Sequence, residues 1–389
     1  MKRKATGHYV SVSTVGENCN AFIPNPLPPN PPLVWDDDLL EQQQSAALAL
    51  GRLDGIGSLL PDPNLFLYSY IRKEAVLSSQ IEGTQSSLSD LLAFENNETP
   101  GVPVHDVQEV SNYVAAMEHG LKRLRNGFPL SLRLIREIHA VLLKTGRGSA
   151  KQPGEFRTSQ NWIGGTRPGN ARYVPPPADT LNDCMGTLEK FFHDKPTKTP
   201  LLTKAALSHV QFETIHPFLD GNGRVGRLLI TFLLCSQGAL SQPMLYLSLF
   251  FKQNRQTYYD LLQKVRAEGD WESWLSFFFQ GIKETSDEAA STAHRLLKLF
   301  AVDREKIQGL KKSKASVMQV HHALQITPLV SSLRLAGMTK LTPATIYRSL
   351  ELLVHLDIVR ETTGGQRNRL FAYDKYLKTL NKETEGDKK

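Results

Sequence analysis

Cysteine is scarce in this chain. Three occur among 389 residues (Cys19, Cys184 and Cys235), far apart, odd in number and never spaced C-x-x-C. That pattern argues against a disulfide framework and against a tetrahedral zinc site, and the expected compartment is cytoplasmic. Unbroken apolar runs are missing too. No stretch reaches the roughly 18 residues that a bilayer-spanning helix needs. The basic start Met1-Lys2-Arg3-Lys4 leads into no signal-peptide core. No membrane partner is expected. Hydrophobic residues nevertheless make up 40% and charged residues 22%, an ordinary globular composition. The length predicts two or three domains.

The charge is unevenly spread. The whole chain carries 46 Lys/Arg against 39 Asp/Glu, a net of +7, and residues 301–389 alone hold 16 against 9, also +7. Residues 1–300 are therefore neutral on balance, and the C-terminal part is the one suited to an acidic partner.

Residues 1–23 are expected to be poorly structured. Six prolines between Pro24 and Pro32 fix φ and remove amide donors, so residues 1–32 read as an extended, proline-rich segment. Asp36-Asp37-Asp38 then offers N-caps for a helix carrying Leu39, Gln43, Ala46, Leu50 and Leu53, which Gly51, Gly55 and Gly57 are expected to end. A second helix starts near Asn64 and runs to Leu77 or beyond. Helical spacing continues over 107–124, 130–143, 203–215, 225–234, 258–265 and 271–299, so the fold class is mainly α. Residues 154–177 break the pattern. Gly154, Gly164, Gly165, Pro168, Gly169 and Pro175-Pro176-Pro177 surround two β-type pieces, 160–163 and 171–174, which predicts a small β-hairpin. Towards the C-terminus a short helix over 328–338 is ended by Gly337. Thr342 caps the next helix with Pro343 at its first position, and strands follow at 357–361 and 370–373. Helix, turn, helix and a two-stranded wing is the order of a winged helix. The domain plan is 1–32 extended, 33–130 an N-terminal helical region, 131–300 a core, 301–380 a winged helix and 381–389 a polar tail.

The densest chemistry lies in His216-Pro217-Phe218-Leu219-Asp220-Gly221-Asn222-Gly223-Arg224-Val225-Gly226-Arg227, a loop that opens a helix. Gly221 and Gly223 let backbone amides approach a ligand with no Cβ in the way. Amides at a helix N-terminus favour an anion. Arg224 and Arg227, three apart, face one side of that helix, and two guanidinium groups beside an amide nest describe a polyphosphate site. Asp220 is a hard oxygen ligand placed to hold Mg²⁺ against phosphates. His216 at the loop entrance is a candidate general base.

These residues resemble the Fic family signature HPFx[D/E]GNGRxxR at every specified position. Gly154-Glu155-Phe156-Arg157 and the 154–177 hairpin are similar to the family's flap, and Thr257-Tyr258-Tyr259 and Gly269-Asp270-Trp271 to its downstream helices, so the resemblance spans roughly residues 30–300. It implies a Fic-type helical bundle with a β-hairpin flap, and transfer of AMP from ATP to a protein Tyr, Thr or Ser hydroxyl. Position by position, it implies that His216 takes the hydroxyl proton and that Asp220 holds Mg²⁺ on the α- and β-phosphates. Gly221, Asn222 and Gly223 cradle the phosphates at the start of a helix continuing through Val225 and Gly226. Arg224 and Arg227 neutralise the β/γ end. The target segment pairs with the flap by strand addition. Gln253, Asn254 and Tyr258 wall the adenine, and a homodimer is implied as well.

Ser78-Ser79-Gln80-Ile81-Glu82-Gly83 resembles the family's inhibitory helix, [S/T]xxxE[G/N]. The physical idea is competition for one cation: an Arg227 paired with Glu82 cannot hold the γ-phosphate. In the winged helix, Arg348 on the second helix and Arg360, Arg367 and Arg369 on the wing are candidate DNA contacts, with dimerisation or protein docking as the other use of such a domain. The sequence thus predicts a protein adenylyltransferase autoinhibited by Glu82. Alternative readings are a DNA-binding regulator whose core senses nucleotide, and a Fic enzyme that moves another phosphate-bearing group or removes AMP.

Overall fold

A computed structural model of the chain describes residues 4–59, 62, 64–96, 101–363 and 369–381. The chain opens on an antiparallel hairpin, β1 (Gly7–Thr14) and β2 (Glu17–Pro24), in unbroken register from Gly7 opposite Pro24 to Thr14 opposite Glu17. This corrects the expectation of a poorly structured N-terminus. Two strands alone are marginal, and here the stabilisation is tertiary. Cys19 and Ala21 bury against Val174, with Val10, Val12, Trp162 and Ala171 packed around them. The Phe22 amide donates to the Val174 carbonyl at 2.9 Å. The Glu17 carboxylate takes Arg167 at 2.5 Å and the Gly169 amide at 3.0 Å.

Among the described residues eleven α-helices follow: α1 (Asp37–Leu59), α2 (Asn64–Ile81), α3 (Leu88–Glu95), α4 (Val104–Arg125), α5 (Leu132–Leu142), α6 (Leu181–Phe192), α7 (Leu201–Ile215), α8 (Asn222–Ser236), α9 (Ser248–Gln253), α10 (Arg255–Glu268) and α11 (Trp271–Gln308). Side-chain caps start several of them, as the sequence pattern requires. Asp36 Oδ1 accepts from the Leu39 amide, Ser87 and Asp90 form a reciprocal capping box, and Ser131 and Asp270 cap α5 and α11. The glycines of α1 do not end it. The helix lies along α11, and that packing outweighs the roughly 1 kcal/mol that an interior glycine costs. At the centre stand α7 and α8. Every residue from Leu202 to Ile215 is buried, the pattern of a helix enclosed on all sides.

The flap differs from expectation. Among the described residues it holds one antiparallel bridge, Ile163 to Tyr173, rather than a strand pair. Gly164 and Gly165 take φ of +70° and +74° directly after the bridge, and Pro175-Pro176-Pro177 offer no amide donors to lengthen a ladder.

The C-terminal part is built from α12 (Lys314–Ile326), β3 (Leu329–Ser331), α13 (Ser332–Thr339), α14 (Pro343–His355), β4 (Arg360–Glu361), β5 (Leu370–Ala372) and α15 (Asp374–Asn381), with sheet order β3-β5-β4. Thr342 caps α14 with Pro343 behind it, as read from the sequence. Two expectations are corrected. Residues 329–331 are strand rather than helix, because they pair with β5. Gly337 does not stop α13, which runs on to a left-handed Lys340. α11 crosses the expected boundary at residue 300 without a break, and one apolar cluster joins Leu27 to Leu380. Tyr376 on α15 donates to the Leu65 carbonyl of α2 at 3.0 Å. No helix among the described residues is long and apolar enough to cross a membrane.

Candidate active site

α7 ends at His216 in the left-handed region (φ 50°), a conformation costing a non-glycine residue about 1–2 kcal/mol. The surroundings hold it there. Its amide donates to Phe212 O at 2.9 Å, and its carbonyl accepts from Arg157 Nε at 3.0 Å. Arg157, 2% exposed, also donates to Pro176 O at 2.5 Å, so the flap and the histidine share one buried guanidinium. Burial, then Arg157 and Arg266, push the His216 imidazole down to about 3. The ring is therefore neutral at pH 7, and its Nδ1 has no partner among the described residues.

The loop from 217 to 221 is closed from within. Asn222 Oδ1 accepts from the Phe218 amide and Asn222 Nδ2 donates to the Phe218 carbonyl, both at 2.8 Å. The Asn222 side chain is thus spent on the loop, and what it offers a ligand is its backbone N–H. Gly221 caps α8 with φ 78°. Asp220 Oδ1 accepts from the Gly221 amide at 2.6 Å and lies 3.6 Å from Arg224. The Asp220 carbonyl is held by His139 Nε2 at 3.0 Å, while His139 Nδ1 accepts from Gly154 at 2.8 Å.

Arg227, 3% exposed, is gripped by α2. Its Nε donates to Ser78 Oγ at 2.8 Å, and its Nη2 to Ser78 O at 3.0 Å and to Glu82 Oε1 at 2.7 Å. Glu82 is held below the usual carboxylate range: burial opposes this, and Arg227 overrides it. A side chain at Gly223 would collide with the Glu82 carboxylate, which explains the glycine there. Arg224 turns the other way, to Glu109 Oε2 on α4 at 3.2 Å.

The remaining candidates separate. Val225 and Gly226 are buried in α8. His209 spans from the Gly226 carbonyl (2.9 Å) to the Tyr258 hydroxyl (2.8 Å). Tyr258, 1% exposed and stacked on Phe251, is packed in the core. Gln253 is exposed and Asn254 half-buried. Arg348 is exposed on α14, Arg369 pairs with Glu361 at 3.5 Å, and Arg367 lies outside the described residues.

Sequence reasoning missed Glu109, His139 and Glu213. His139 had a signal, a histidine among Ile135, Ile138 and Leu142 on an apolar face. Glu213 had a weaker one, an acid three residues before His216 in a helix that is buried from Leu202 to Ile215. Its carboxyl is pushed up to about 7 by burial.

The helical bundle thus sets a histidine, a carboxylate, a row of backbone amides and two arginines at one helix start. Comparison with known proteins names the family. Residues 40–122 match the Fic/DOC family N-terminal region and residues 129–234 the Fic/DOC family itself. The chain thus carries a Fic/DOC N-terminal region followed by a Fic/DOC domain. It is 32% identical over 240 residues to the protein adenylyltransferase Fic of Aedes aegypti, covering 59% of this chain and 44% of that protein. The Culex quinquefasciatus protein of the same name is 31% identical over 212 residues, 53% and 39% of the two chains. The chain thus spans less than half the length of these relatives. A Fic family protein from Desulfovibrio desulfuricans shares the fold, with TM-score 0.58, 19% identity and coverage of 88% and 97%.

Proposed function

We propose that the chain is a protein adenylyltransferase that moves AMP from ATP to a protein hydroxyl and is restrained by Glu82. The observation that carries this reading is the three-bonded grip of Ser78 and Glu82 on Arg227, set at the mouth of a Fic-type helix start. In the reaction, the target hydroxyl oxygen attacks the α-phosphorus, the bond to pyrophosphate breaks, and His216, neutral before the step, takes the proton. The amides of Asn222, Gly223 and Arg224 have no partner among the described residues and are free to bind phosphate oxygens. Arg224 and Arg227 neutralise the β/γ end. Asp220 fits Mg²⁺: its side chain is about one-third exposed, and a magnesium ion held by one carboxylate and substrate phosphates needs no larger acidic cluster. Bound there, the ion would supply charge neutralisation on the phosphates.

The target segment is taken up by the flap. In the Ile163–Tyr173 bridge both residues spend their amide and carbonyl on each other, so the neighbouring backbone groups of Trp162 and Gly164 point to the outer edge. That edge suits an added strand.

A second reading rests on α14, where Arg348 stands exposed in a region of net positive charge. It assigns residues 301–380 to a winged helix that contacts DNA, and Arg348→Ala should then weaken binding to duplex DNA.

The test is label transfer from ATP by the full chain carrying Glu82→Gly. Label from the α-phosphate but not the γ-phosphate is expected on protein, and His216→Ala should abolish it. Label from the γ-phosphate, or transfer that survives His216→Ala, would overturn the mechanism.

A further inference from the structure

Arg147 was assigned no role by the signature. It sits between Gly146 and Gly148, whose φ values are 80° and 86°, in the loop between α5 and the flap. Its Nε and Nη2 both reach the Glu109 carboxylate at 3.3 Å. Glu109 Oε2 is also the partner of Arg224, at 3.2 Å. One buried carboxylate, 2% exposed, thus lies between two guanidinium groups. They differ in freedom: the Arg224 side chain is 1% exposed and the Arg147 side chain 53%. The same loop touches the other end of the site, since a Cβ at Gly148 would lie 2.7 Å from Asp220 Oδ2. Arg224 Nε is buried with no partner among the described residues.

We propose that Arg147 is a third phosphate-binding cation of this site, held on Glu109 while nucleotide is absent and moving to the terminal phosphates of a nucleoside triphosphate when it binds. The inference rests on the nucleotide reading of the site. The physical argument is one of exchange. The Arg147 guanidinium is half open to water, and Glu109 keeps its buried partner Arg224, so the departure of Arg147 strands no buried charge. A polyphosphate offers the same guanidinium a bidentate, multiply charged partner. Glu109 meanwhile keeps Arg224, whose buried charge needs it more. The proposal places Arg147 on the β- and γ-phosphates, beside the arginines of α8 and on the side of Asp220, so its contribution grows with the length of the phosphate chain.

The test is calorimetric binding of ATP, ADP and AMP to the full chain carrying Glu82→Gly and His216→Ala, with and without Arg147→Ala. Arg147→Ala should weaken ATP roughly tenfold, the worth of one charge-assisted hydrogen bond, ADP by less, and AMP not at all. Arg147→Lys should recover part of the loss. Equal weakening of all three nucleotides would mean that Arg147 only braces the loop, and unchanged ATP affinity would mean that it never leaves Glu109; either result overturns the proposal. Because the readout is binding, a parent that binds ATP while the Glu82→Gly chain with His216 intact transfers no AMP would sink the proposed activity alone. A parent that binds none of the three would sink both readings.

Discussion

The two arginines that begin α8 look alike in the signature and live in different surroundings. Arg227 makes three bonds of 2.7–3.0 Å to Ser78 and Glu82. Arg224 leans on Glu109 at 3.2 Å and Asp220 at 3.6 Å and keeps one buried N–H unpartnered. Their acids differ as well. Glu82 lies just past the end of α2, with a 31% exposed side chain and a left-handed Gly83 (φ 100°) after it. Glu109 lies within α4 and is 2% exposed. Fraying one helix end withdraws Glu82, whereas withdrawing Glu109 means moving a helix. A releasable contact suits regulation, and a fixed one suits architecture.

That contrast can be broken by exchanging the expected phenotypes. Glu109→Ala should cost about 3 kcal/mol of stability, the scale for stripping a partner from a buried charge. Urea unfolding reads this, and a change under 1 kcal/mol would make Glu109 no more architectural than Glu82. Glu82→Gly should instead raise AMP transfer by roughly 10–100-fold, the equivalent of one charge-assisted bond to Arg227. An unchanged initial rate would leave Glu82 an ordinary ion pair. Ser78→Ala removes the Nε bond and leaves the carboxylate, so a smaller gain of about fivefold is expected. A gain equal to that of Glu82→Gly would move the restraint from charge to helix geometry.

The same contrast shows what was legible in the sequence. Glu82 and Arg227 could be read because each belongs to a short motif with a local reason for its spacing. Glu109 and Arg224 could not be paired, because 115 positions separate them and only packing of α4 on α8 joins them. The helices were legible from period, and the caps at Asp36 and Thr342 from chemistry. The burial of Tyr258 was not legible, because a tyrosine at a helix start serves equally as ligand wall or core, and its partner His209 is 49 positions away. The β1–β2 hairpin was illegible for a similar reason. Its buried residues, Cys19, Ala21, Phe22 and Pro24, break the alternation of a half-buried strand, and Val174, which packs on Cys19 and Ala21, lies far along the chain.

The finest distinction lies behind Arg227. His209 donates from Nδ1 to the Gly226 carbonyl and accepts at Nε2 from the Tyr258 hydroxyl, so the neutral ring is required, and burial holds it down to about 3. In the unfolded chain a histidine takes its proton near 6.5. Between those values only the unfolded state is protonated, so stability is full above about pH 6.5 and falls as the pH drops through that window. At pH 6 the loss from His209 alone should be about 0.8 kcal/mol. Glu213 and Glu74, both pushed up to about 7 by burial, work in the opposite direction over the same range, so the wild-type slope alone cannot isolate the histidine. The difference between wild type and His209→Asn can, since asparagine keeps a donor near Nδ1 and does not titrate. Urea unfolding at pH 7.5 and pH 6 should show the variant losing less on acidification, by about that amount. Parallel losses in the two proteins would mean that His209 titrates alike in the folded and unfolded states, and that the Arg227 turn is not propped by a neutral ring.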